Sequence, residues 1–149
     1  MDSVLIDTNL LVYLHDPSEP EKRQRATQVL QWLRASGSGA LSAQTLSEFY
    51  NAVTRKLKPP LTPEQAEQQV QRLARAWPVF SITPQVVLEA ARGARAYQFH
   101  FWDAQIWAVA RLNGIPLVFS EDFNPGAVIE GVHFVNPLTA DFDLTTVGL

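Results

Sequence analysis

Residues 4–11 read V-L-I-D-T-N-L-L, and this stretch decides the fold. Val4, Leu5 and Ile6 make an unbroken apolar run too short for a helix. It reads as a strand buried on both faces, the pattern of a parallel sheet covered by helices. The run ends on Asp7, a carboxylate at the strand's C-terminal end, and a short helix is expected from near Asn9. Downstream, helix and strand signals alternate. Glu19 and Pro20 open a segment in which Ala26, Val29, Leu30 and Leu33 recur at helical spacing, and Gly37 and Gly39 close it. Ala40 to Ser42 suit a brief second strand, and Leu46, Phe49, Tyr50, Val53 and Leu57 then trace one apolar stripe that stops before Pro59 and Pro60. Thr62 with Gln65 resembles a capping box, with Pro63 in the first turn, for a polar helix to about Ala76.

Val79 to Ile82 read as a third strand, and Pro84 to about Tyr97 as a helix. Trp102 to Leu112 is a helix apolar on nearly every side, which places it centrally. Ile115 to Phe119 form a fourth strand and Val132 to Val135 a fifth. Strands alternating with helices imply an α/β sandwich with a central, mostly parallel five-stranded sheet.

A chain of 149 residues with 46% apolar content carries enough material for one core, so a single domain is expected over residues 1–138, followed by an extension, 139–149, with no clear period. The absence of cysteine removes disulfides, thiolate zinc sites and a cysteine nucleophile. Asp2 and Asp7 bracket the first apolar run, which lacks the basic start and length of a leader, and no segment reaches membrane-spanning length, so a cytoplasmic location is the expectation. A net charge of -3 is unlike a protein that grips nucleic acid with a broad basic face. A polyphosphate substrate would need positive charge from bound cations.

Four carboxylates stand where the pattern argues for burial or for a strand end: Asp7, Glu48, Asp103 and Asp122. Active sites of parallel α/β sheets gather at the C-terminal ends of strands, which suits Asp7 and Asp122, although Asp7 can serve only as a helix cap and Asp122 only as an acidic turn before Asn124 and Pro125. Glu48 lies beside its helix's apolar stripe, near the same sheet edge, or else is an ordinary solvated glutamate. Asp103 shares a face with Ile106, Trp107 and Ala110, where a charge is costly unless paired; the helix N-terminus offers it partial relief. No basic residue is near Asp7, Asp103 or Asp122 in sequence. Clustered carboxylates repel, and hard divalent cations neutralise them. His15, His100 and His133 form no zinc signature and read as incidental.

Four motifs in order resemble the PIN-domain family, and the toxin ribonucleases of VapC type within it. V-L-I-D-T-N-L-L (4–11) looks like its opening strand, S-E-F-Y-N (47–51) its helical glutamate motif, and F-W-D-A-Q-I-W-A (101–108) its third acidic motif. L-V-F-S-E-D-F (117–123) with G-V-H-F-V-N-P (131–137) resembles its closing motifs. The resemblance implies a three-layer sandwich and a metal-dependent endoribonuclease in which Asp7, Glu48, Asp103 and Asp122 are catalytic and ligate one or two Mg²⁺ or Mn²⁺ ions. It implies supporting roles for Thr8, Asn9 and Ser120, and leaves the share of Glu121 open, because Asn124 and Pro125 replace the further aspartate of longer family versions. Water activated by the cation would attack a phosphodiester of RNA. A protein antitoxin and a homodimer follow from the resemblance alone.

Arg55, Lys56 and Lys58, and Arg92 with Arg95 ahead of Tyr97, Phe99, His100 and Phe101, could steer RNA, or form solvated faces beside core aromatics. A dehalogenase-like phosphatase wants a second aspartate where Asn9 stands. The other alternative is a PIN-fold RNA-binding or scaffold protein without catalysis.

Overall fold

The computed structural model of the chain describes residues 4–147. The strands are β1 (Val4–Ile6), β2 (Gly39–Ser42), β3 (Val79–Phe80), β4 (Leu117–Phe119), β5 (Val128–Ile129) and β6 (Val132–Val135). The helices are α1 (Thr8–Tyr13), α2 (Pro20–Ser36), α3 (Ala43–Arg55), α4 (Pro63–Ala76), α5 (Pro84–Tyr97) and α6 (Phe101–Leu112). Strand order is β3-β2-β1-β4-β6-β5, with every pairing parallel except β5 against β6.

Alternation along each strand splits the core in two, because successive side chains leave a strand on opposite faces. Val4 and Ile6 of β1, Leu41 of β2 and Leu117 and Phe119 of β4 pack with α1 to α4 through Leu10, Leu11, Leu33, Phe49 and Val53. Leu5, Ala40, Val118 and Phe134 pack on the other face against α5 and α6. The result is the expected three-layer sandwich. Helices α1 to α4 accompany the steps β1 to β2 to β3 in one direction, and the chain then crosses back under α5 and α6 to β4 on the far side of β1. The order therefore reverses between β1 and β4, and such a reversal opens a crevice at the strands' C-terminal ends.

Local chemistry sets the helix ends. Thr62 and Gln65 form the reciprocal capping box, at 3.0 and 3.1 Å, so two otherwise orphaned donors of α4 are satisfied. Gly37 ends α2 at φ 68°, a left-handed conformation that glycine adopts without steric cost. Gly93 of α5 is required for a different reason: a Cβ there would lie 2.5 Å from Cζ3 of the fully buried Trp107 of α6.

The sheet has six strands rather than five. The additional one, β5, is two residues long and joins β6 through Glu130 and Gly131, both at positive φ (48° and 83°), the twist a two-residue hairpin needs. Two residues carry no period, and glutamate is not a usual turn residue, so the hairpin leaves little trace in the sequence. Strands three and four are also shorter than expected; β4 begins after Pro116, which has no N–H to contribute to a ladder.

The segment after Leu138 is anchored as far as it is described. Arg25 of α2 donates to the carbonyls of Pro137 (3.0 Å) and Phe142, and the Phe142 ring meets Phe119 edge-on at 5.6 Å. Residues 148–149 of that expected extension, like residues 1–3, lie outside the described residues. Among the described residues no helix is long and apolar enough to cross a membrane.

Candidate active site

Asp7 and Ser120 stand one residue past the C-terminal ends of the paired strands β1 and β4, at the reversal of strand order. The Asp7 N–H continues the ladder to the Phe119 carbonyl (3.0 Å). Its carboxylate is held on both oxygens: Oδ1 accepts from the Thr8 N–H at 2.8 Å, capping α1, and Oδ2 accepts from the Ser120 hydroxyl at 2.7 Å. The capping duty considered for Asp7 is thus real, and occupies one oxygen only. Burial pushes the Asp7 carboxyl up to about 6 from an ordinary 3.8; the two hydrogen bonds oppose this, and the negative charges of Glu48 and Asp103 add to it.

The other acids surround this point. Asp122 follows Ser120, whose hydroxyl accepts the Asp122 N–H at 3.2 Å, and the Asp122 carboxylate accepts from the Asn9 side-chain amide at 3.1 Å. Asn9 also accepts the Glu121 N–H at 3.4 Å, so one amide ties α1 to the β4 loop. Asp103 lies in the first turn of α6, and its carboxyl is raised by burial and by the charge of Asp122, against a lowering from His100. Glu48, on α3, accepts from Gln44 Nε2 at 2.6 Å.

Two clefts meet along this edge. One, of about 300 Å³, is walled by Thr8, Asn9, Glu48, Lys56 and Asp122; the other, of about 660 Å³, by Gln44, Glu48, Lys56, His100, Trp102 and Asp103. Glu48, Asn51 and Lys56 border both. Glu48 and Asp122 line the first cleft and Glu48 and Asp103 the second, while Asp7 is buried beside them and feels the charges of Glu48 and Asp103. Among the described residues none of the four is in an ion pair with lysine or arginine.

Glu121 faces elsewhere. Its carboxylate binds Lys22 of α2 at 2.8 Å and accepts from the Tyr13 hydroxyl, so strand alternation sends it to a basic partner while Asp122 enters the crevice. Arg92 is likewise committed, to Glu89 and Glu130 and over the Trp107 ring, which leaves it no steering role. His100, read from sequence as incidental, borders the larger cleft.

Sequence reasoning missed Gln44 and Gln105, which are 8% and 5% exposed. Gln105 donates to Gln44 Oε1 at 2.6 Å, and Gln44 Nε2 donates both to Glu48 and to the Trp102 carbonyl at 3.1 Å. This amide chain joins α3 to α6 behind two of the acids. Two signals could have found it: the four-residue spacing of Gln44 and Glu48, and the lone amide inside the apolar run of α6.

The donor set suits a hard divalent cation. It offers carboxylate oxygens in no ion pair with lysine or arginine among the described residues, and no thiol, together with a buried hydroxyl oxygen, Thr8 Oγ1, that has no hydrogen-bond partner. Among the described residues no group of three or more His, Asp or Glu side chains is arranged to hold a metal ion.

The sequence profile of the PIN domain matches residues 4–128. The chain belongs to the PIN domain family. Among solved structures, it is similar to a chain of a toxin–antitoxin complex from Klebsiella pneumoniae (22% identity, 91% of this chain and 98% of that one, TM-score 0.67). It is similar also to the sarcin–ricin loop cleaving toxin VapC20 of Mycobacterium tuberculosis (21% identity, 86% and 98%, TM-score 0.64). A third similarity is to a chain of DNA-bound VapBC from Salmonella typhimurium (18% identity, 90% and 97%, TM-score 0.65). At these identities what is shared is the fold. No curated protein sequence matches significantly.

Proposed function

We propose that this protein is a divalent-metal-dependent endoribonuclease, acting as the toxin of a toxin–antitoxin pair. The observation that carries the reading is the crevice at the β1–β4 reversal, where Asp7, Glu48, Asp103 and Asp122 lie near one another with no lysine or arginine ion pair among the described residues, and where burial, with the charges of Glu48 and Asp103, raises the proton affinity of Asp7. Such an arrangement is unstable as bare charge and becomes favourable around a cation. The VapC20 structure supports RNA as substrate, and the complexes from Klebsiella and Salmonella support a protein antitoxin; the homodimer expected from the family belongs to the same proposal.

Asp7, Glu48, Asp103 and Asp122 are the residues that would hold Mg²⁺ or Mn²⁺, with Thr8 as a neutral oxygen donor. When bound, the cation lowers the pKa of water and offsets charge on the phosphate and leaving oxygen. Asp7 must be ionised to take part, and the Ser120 and Thr8 donors hold its oxygens in place while it is. Asn9 steers Asp122, and Gln44 steers Glu48, so that both exposed carboxylates can turn inward. Lys56 borders both clefts and is suited to a phosphate oxygen. Glu121, bound by Lys22 and Tyr13, shapes the wall and stays outside the ligand set.

Purified protein should cleave single-stranded RNA with Mn²⁺ or Mg²⁺, lose the activity in EDTA, and lose it in Asp7→Asn and Asp103→Asn with the fold unchanged by circular dichroism. Cleavage undiminished in both variants would overturn the assignment. Retained RNA binding with no cleavage under any divalent cation would favour the non-catalytic RNA-binding alternative.

A further inference from the structure

Trp102 is the most exposed aromatic side chain among the described residues. It is 56% exposed, whereas Trp77 and Trp107 are 7% and 0% exposed. It is not a loose surface side chain. Its carbonyl accepts from Gln44, its ring meets Phe101 edge-on at 5.3 Å, and it precedes Asp103 in the first turn of α6. It also borders the 660 Å³ cleft together with Lys56 and His100. A large ring held open to solvent leaves apolar area uncovered, and here that area lies beside two carboxylates and a lysine.

We propose that the Trp102 indole is the platform on which one unpaired nucleobase of the RNA substrate stacks, with Lys56 on the adjoining phosphate. The inference rests on the nuclease reading of the same crevice and adds to it a substrate-binding residue, Trp102, for a base that is not paired. A duplex keeps its base faces covered by neighbours, so only an unpaired base can present one to the indole. The volume of the larger cleft falls within the roughly 300–1,000 Å³ typical of small-ligand pockets, enough for a nucleotide. The indole carries specificity through stacking strength, which favours purines and reads no hydrogen-bond edge.

The test separates binding from cleavage. Fluorescein-labelled oligoadenylate of about ten nucleotides, within the span of a single-strand site, is titrated at low salt in Ca²⁺, a hard cation that can neutralise the acids, against wild type, Trp102→Ala and Trp102→Phe. Trp102→Ala should bind about ten- to a hundredfold more weakly, Trp102→Phe should recover most of the loss, and duplex RNA of the same length should compete poorly. A strand of the same length with every base removed should bind wild type and Trp102→Ala alike, as expected when the two changes remove one contact. With Mn²⁺ present, Trp102→Ala should raise KM and spare kcat. Equal oligoadenylate binding by wild type and Trp102→Ala, a fully abasic strand bound by wild type as tightly as oligoadenylate, no wild-type binding, or equal competition by duplex would each overturn the platform. Cleavage that is intact alongside Trp102-independent binding removes the platform and leaves the nuclease standing. Trp102-dependent binding without cleavage in any divalent cation removes the nuclease and leaves the platform.

Discussion

Glu89, Arg92, Arg111 and Glu130 form a closed ring of ion pairs between α5, α6 and the β5–β6 hairpin: Arg92 to Glu89 and to Glu130 (2.9 Å), and Arg111 to Glu89 (3.0 Å) and to Glu130 (3.2 Å). Its two acids are both held below their usual carboxylate range by the partners around them, the Arg92 side chain foremost for Glu89 and the Tyr97 hydroxyl for Glu130. The crevice between β1 and β4 holds four acids whose like charges, with burial, push Asp7 and Asp103 the other way. Equal numbers of acids and bases neutralise one another in the first cluster, which fastens a hairpin. The second cluster has no ion pair to lysine or arginine among the described residues. Glu121 and Asp122 show the contrast within one dipeptide, the former tied to Lys22 and the latter facing the crevice.

The comparison breaks most visibly at Asp7. Asp7→Asn keeps the α1 cap, since asparagine caps as well as aspartate, yet should lower RNA cleavage by about a thousandfold or more, measured as initial rate in Mn²⁺. Gln44→Leu removes the donor to Glu48 and strands Gln105. A loss of about ten- to a hundredfold in activity or in Mn²⁺ affinity is expected, the usual scale for partners of metal ligands, and titration with Mn²⁺ measures it. If Gln44→Leu titrates like wild type, the amide chain serves folding alone. Gly93→Ala forces a methyl into Trp107 and should destabilise by about 1–3 kcal/mol in urea denaturation, with kcat of the folded fraction retained.

A smaller effect sharpens the comparison through pH. Asp7 titrates at about 6 in the fold and at about 3.8 when unfolded. Between roughly pH 4 and pH 6 the folded chain therefore keeps a proton that the unfolded chain has released, and this contribution, complete below pH 4, is lost as pH rises through 6. In EDTA, Asp7→Asn should match wild type at pH 4 and exceed it at pH 7 by on the order of 1–2 kcal/mol, read from paired denaturation curves. Mn²⁺ should reverse the ranking, because it binds the folded wild type. Glu130→Ala, which releases Arg92, Arg111 and Tyr97 together, should lower the melting temperature less than Gly93→Ala and leave cleavage untouched. A drop in activity there would mean that the two clusters communicate.

Much of this was legible in the sequence because it rests on local rules. Val4–Ile6 announces a doubly buried strand, Thr62 and Gln65 announce a cap, and acids placed at strand ends converge once the sheet is parallel. What escaped depends on partners distant in the chain. The β5–β6 hairpin turns through Glu130 at positive φ, and its carboxylate is met by Arg92, 38 residues earlier, and by Arg111. Gln44 meets Gln105 across 61 residues. That Glu121 points away from Asp122 follows from alternation at the strand end, but its basic partner does not: Lys22 is brought in by α2.

The amide chain behind the crevice has a bearing on how the molecule comes together. Gln44 Nε2 gives to two oxygens while Oε1 receives from Gln105, so the group has one satisfied orientation and no equivalent after a flip. A one-residue slip of either α3 or α6 would leave two amides dry and unpaired in the interior, each a penalty of about 1–3 kcal/mol. Misassembled forms that would set Glu48 and Asp103 at the wrong separation are therefore also the forms that bury stranded amides, and correct spacing of the two acids is selected during folding, before any ligand arrives.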